Sequence, residues 1–107
     1  MNNVEEMFDK IVKENFKHAS YNDHFNGLNY MDIEKDNFIF NLTLEKKDET
    51  HFAIIVWGLA HKSQLTGNAA QFHGENYKII TNKISRSELK EKILTLVTES
   101  FKKQKNN

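Results

Sequence analysis

Cysteine is absent from this chain of 107 residues. That removes disulfides, thiol catalysis and thiolate metal sites together. Long apolar runs are absent as well. The longest uninterrupted one covers residues 52–57, well short of the roughly 18 that a membrane-crossing helix needs. The opening MNNVEEMFDK lacks a basic stretch followed by an apolar one, so no secretory leader is expected. Together these absences predict a cytoplasmic protein with no membrane partner.

Proline is missing too, and arginine occurs once against 14 lysines and 13 asparagines. Such a bias is what an AT-rich coding sequence produces, as in a low-GC bacterium or its phage. The scarcity of arginine also weighs against nucleic-acid recognition, because bidentate contacts to phosphates and bases favour Arg.

What is present suits a folded domain: 38% of residues are apolar and 28% charged. The length corresponds to one domain, residues 1–107. The formal net charge is zero but segregated. Residues 1–50 carry 6 lysines and 11 acids, whereas residues 51–107 carry 9 basic residues and 4 acids. The two halves are expected to neutralise each other on folding.

Helical spacing of Val4, Met7, Phe8, Ile11, Val12 and Phe16 predicts an amphipathic helix over 4–17, with Asn3 as its N-cap. Residues 18–27 are rich in Asn, Asp and Gly and read as a break. Period-two patterning then predicts strands at 28–34, 38–45, 50–60 and 77–83, the first three joined by short turns. Ser85 and Glu88 form a capping box, with Ile84 and Leu89 placed as a hydrophobic staple. The helix they open, over 86–103, puts Leu89, Ile93, Leu96, Val97 and Phe101 on one face. The fold class is therefore α+β: a four-stranded antiparallel meander sheet flanked by N-terminal and C-terminal amphipathic helices.

The third strand departs from this pattern. HFAIIVWGLAH is apolar at both parities, whereas a strand packed on one side alternates. Phe52, Ile54 and Val56 point one way; Ile55, Trp57 and Leu59 point the other, with Ile39 beside them on the neighbouring strand. Two arrangements account for this. Either the helices cover opposite faces of the sheet, or a second copy or a protein partner covers the odd face. Gly58 can carry a bulge that changes the parity of the residues after it.

Catalytic and metal signals are sparse. The five histidines form no HxxxH or HxH pair, and His51 and His61, at the ends of one strand, stand about 33 Å apart at ~3.3 Å per residue. No metal site and no cofactor is expected. The long connection at 61–76 holds His61, Ser63, Thr66 and His73, and is where a small-ligand or metal site would lie. It has neither a GxSxG elbow nor a phosphate-binding GxxxxGK[ST] spacing. No catalytic residue is assigned, and the chain is expected not to be an enzyme. A basic stretch with Lys78, Lys83, Arg86 and Lys90 is the alternative site, able to track nucleic-acid phosphates. The sequon Asn41-Leu42-Thr43 lies inside a strand pattern and is not expected to carry a glycan.

The function these observations favour is a small non-enzymatic protein-interaction module. It would act as an adaptor or an inhibitor by occlusion, and would self-associate as a homodimer through Ile55, Trp57 and Leu59.

Overall fold

A computed structural model describes residues 3–17, 20–24, 27–64 and 75–105. Helix α1 (Val4–Asn15) begins at the expected cap: Asn3 Oδ1 accepts the Glu6 N–H at 3.1 Å. Glu5 and Glu6 fill its first turn, where negative charge meets the positive end of the helix dipole. The helix ends two residues earlier than its apolar spacing implies. Phe16 is already extended, and Lys17 forms an isolated bridge with Glu34.

Among the described residues five strands follow, not four. β1 (Ser20–His24), β2 (Gly27–Lys35), β3 (Phe38–Lys46), β4 (His51–His61) and β5 (Glu75–Thr81) pair in chain order, each antiparallel to the next. β1 is the strand that patterning missed. SYNDH carries no apolar alternation, because it lies at the sheet edge and is held by backbone pairing to β2. The β2–β3 turn is tight, with Asp36 and Asn37 both left-handed at φ 52° and 69°, the backbone of a two-residue hairpin. Gly27 is required at the start of β2: a Cβ there would stand 1.8 Å from the Leu44 carbonyl oxygen.

Helix α2 (Arg86–Lys105) opens on the capping box. The Glu88 N–H donates to Ser85 Oγ at 3.3 Å, and the Ser85 hydroxyl donates to Glu88 Oε1 at 3.0 Å. Ile84 and Leu89 are buried on either side of it. The aromatic contacts show where both helices lie. Phe8 of α1 meets Tyr30 at 5.9 Å and Phe16 meets Phe40 edge-on at 5.9 Å. Phe101 of α2 stacks on Phe38 at 4.4 Å and touches Phe40 at 5.6 Å.

Tyr30, Phe38 and Phe40 belong to one side of the sheet, so α1 and α2 pack on that side together and share one core. Arg86 joins the helices through Glu14 at 2.7 Å. The arrangement with helices on opposite faces is thereby excluded. Among the described residues, no helix is long and apolar enough to cross a membrane.

Candidate interaction face

Because both helices occupy one side, the other side of the sheet has no helix over it among the described residues. Strand register identifies its residues. Asn29, Thr43, Ile55 and Tyr77 lie in one row across β2 to β5. Asn41, Trp57 and Glu75 form a second row, and Glu45, Ala53 and Ile79 a third. Tyr77 is 63% exposed and Ile79 46% exposed, while Ile39, Ile55 and Trp57 are half-buried.

The sole tryptophan is oriented by a short polar chain. Its Nε1–H donates to Thr43 Oγ1 at 2.9 Å, and the Thr43 hydroxyl donates to Asn29 Oδ1 at 2.6 Å. Asn29 Nδ2 completes the chain at the Met31 sulfur, 3.3 Å away. On the next row Asn41 Oδ1 accepts the Asp32 N–H at 3.1 Å. That bond steadies a bulge in β2, where Asp32 adopts φ 58°. Asn41 and Thr43, the first and last residues of the sequon, are both buried.

Leu59 does not belong to this face. The β3–β4 register slips between Ile39 and Asn41, opposite a left-handed Gly58 at φ 64°. The extra residue reverses the parity, and Leu59 turns to the helix side, where it is buried in the core. Ile55 and Trp57 precede the bulge and stay on the helix-free face. The apolar surface continues instead onto β5, through Tyr77 and Ile79. Their alternation is visible in YKIIT, but only the β4–β5 register ties its parity to that of Trp57.

The remaining candidates lie elsewhere. Thr66 and His73 fall outside the described residues. His61 and Ser63 do meet, but as a local turn: His61 Nδ1 lies 2.7 Å from Ser63 Oγ and also accepts the Ser63 N–H at 3.2 Å. A ring nitrogen accepting a backbone N–H is committed to capping the short 3₁₀ turn at Lys62–Gln64. The His61 ring itself rests edge-on against Phe38 at 5.1 Å. Among the described residues, no group of three or more His, Asp or Glu side chains is placed to hold a metal ion.

Lys78, Lys83, Arg86 and Lys90 are all exposed around the junction of β5 and α2. Arg86, the one side chain there with bidentate geometry, is engaged by Glu14. Two perturbed acids also stand off the face. Asp48 is held at about 2, first by the Thr50 backbone N–H and then by His51, in the β3–β4 turn. The Tyr30 hydroxyl hydrogen-bonds Asp9 between α1 and β2. Comparison with protein-family models, with curated proteins and with solved structures finds no match to this chain.

Proposed function

We propose that this chain is a small non-enzymatic interaction module that binds a protein partner through the helix-free face of its sheet, as an adaptor or as an inhibitor acting by occlusion. One observation carries the reading: Ile39, Ile55, Trp57, Tyr77 and Ile79 lie together on a surface that neither helix covers. Apolar surface of this kind gains free energy when a partner removes it from water, at roughly 25 cal/mol per Å². Tryptophan and tyrosine are the residues most enriched where such binding concentrates. The Trp57 hydrogen bond to Thr43 holds the ring in place before binding, which lowers the entropy lost on association. Glu45 and Glu75 flank the patch and would set orientation and encounter rate.

Site-specific photo-crosslinking tests the proposal. A photoreactive residue at Tyr77, on the face, should give a discrete adduct in its native cell, whereas one at Lys90, on the exposed side of α2, should not. The purified adduct partner should then change the emission of Trp57 on titration, with saturation at a fixed stoichiometry. Adducts from position 90 and none from position 77 would sink the reading.

A further inference from the structure

The two ends of the sheet are built differently. β1 is only five residues long and carries a single exposed apolar ring, Tyr21; a short edge strand offers little to another strand. β5 is seven residues long, runs against β4 with no register shift, and contains neither proline nor glycine. Its one cation is Lys78, on the helix side. Tyr77 and Ile79 are two of the three exposed large apolar side chains among the described residues, and they are neighbours on its helix-free side.

Hydrogen-bond phase shows what this edge offers. The Asn82 N–H donates to the Thr50 carbonyl at 2.8 Å. Backbone groups alternate along an antiparallel strand, so residues 76, 78 and 80 turn theirs toward β4, while residues 75, 77, 79 and 81 turn theirs outward. The outward N–H and C=O groups thus belong to the same residues that carry the exposed apolar side chains.

We infer that β5 pairs with β5 of a second copy of this chain, about a twofold axis at Ile79, to form one continuous sheet of ten strands. The pairing uses the sheet edge beside the interaction face, so it goes beyond that reading and leaves the face itself uncovered. The register follows from chemistry. Centred on Ile79, the pairing sets Ile79 against its own copy and Tyr77 against Thr81, every pair exchanging outward backbone groups. On the helix side it sets the Lys78 stem against Ile80. Centring on Lys78 instead would put two ammonium groups directly opposite each other, which destabilises a strand pair.

A second copy is the occupant because the strand is its own complement in this register. With β1 short and β5 longer and unpaired on its outer side among the described residues, a twofold pairing of β5 closes at a dimer. The joined sheet places Ile55, Trp57, Tyr77 and Ile79 of both copies on one surface.

Light scattering across concentration, with wild type and Ile79→Lys, tests the inference. Ile79 is 46% exposed, so the variant should keep the wild-type circular dichroism. The expected result is a wild-type dimer and an Ile79→Lys monomer, with the amides of residues 77, 79 and 81 exchanging faster in the variant. Because the chain has no cysteine, single substitutions report the register directly. Ile79→Cys should oxidise to a disulfide-linked dimer faster than Lys78→Cys, since hydrogen-bonded antiparallel pairs place Cα atoms about 5.5 Å apart, within disulfide range.

Faster cross-linking of Lys78→Cys overturns the register. A wild type that is monomeric at hundreds of micromolar overturns the inference, while leaving crosslinking from Tyr77 to judge the interaction face. A dimer that survives Ile79→Lys but is lost in Trp57→Glu also overturns edge pairing, and keeps the face as the interface.

Discussion

Tyr30 is among the largest fully buried side chains, yet its hydroxyl reaches Asp9 on α1. Each group acts on the other's titration. The Tyr30 hydroxyl, with Lys13 beside it, lowers the Asp9 carboxyl below its ordinary 3.8. Burial, followed by that carboxylate, raises the Tyr30 phenol above its ordinary 10.0. Removing the hydroxyl in Tyr30→Phe should cost about 1–2 kcal/mol, the scale of a hydrogen bond to a charged group that retains some water. The pH dependence has a definite sign. An acid whose value is lowered by folding stabilises the fold above its unfolded value and loses that contribution as pH falls through the folded one. The gap between wild type and Tyr30→Phe should therefore be full at pH 6 and shrink as the solution is taken below about 3.8. Urea titrations of both proteins across that range check it. A gap that does not change with pH would show that Asp9 is not the partner that matters.

At the scale of elements, special backbone positions set the geometry. Gly58 lies at φ 64°, where an L side chain is strained, and its bulge decides that Leu59 enters the core. Gly58→Ala should destabilise by about 1–2 kcal/mol, read as a lower denaturant midpoint with an unchanged slope. Ser85→Ala should lose about 1 kcal/mol by removing the cap of α2.

These two sites mark the extent and the limit of what was legible in the sequence. The capping box was legible because its signal is local: a hydroxyl, a carboxylate three residues on, and a flanking apolar pair. The apolar stripes of both helices were legible for the same reason, and so were β2 to β5 to within two residues. β1 was not, because an edge strand held by backbone pairing needs no apolar alternation. The candidate site was half legible. The double-sided apolar character of β4 pointed to a surface beyond the core, with Ile55 and Trp57 on it. The displacement of Leu59 and the extension onto Tyr77 and Ile79 depend on register between strands. Register is a property of pairing, which no single strand's pattern contains.

On the scale of the whole molecule, the two described helices converge on one side of the sheet. Arg86 and Glu14 come from the basic and acidic halves and meet where α1 and α2 lie together. Phe101, near the end of the chain, stacks on Phe38 and touches Phe40, which in turn meets Phe16 of α1. One core therefore links both helices to the central strands, and the unit of stability is the whole described structure. Phe101→Ala should cost about 3 kcal/mol or more, since it opens a cavity beside the Phe38 and Phe40 rings. The loss should be felt on both sides of the sheet. Trp57 stands on the helix-free face, and as the only tryptophan it reports that face alone. Its fluorescence and the far-ultraviolet circular dichroism should fall together, at one lowered midpoint, in wild type and variant alike. Separate midpoints in Phe101→Ala would mean that the strands carrying the helix-free face hold together after α2 has come away, and that the face does not depend on the core behind it.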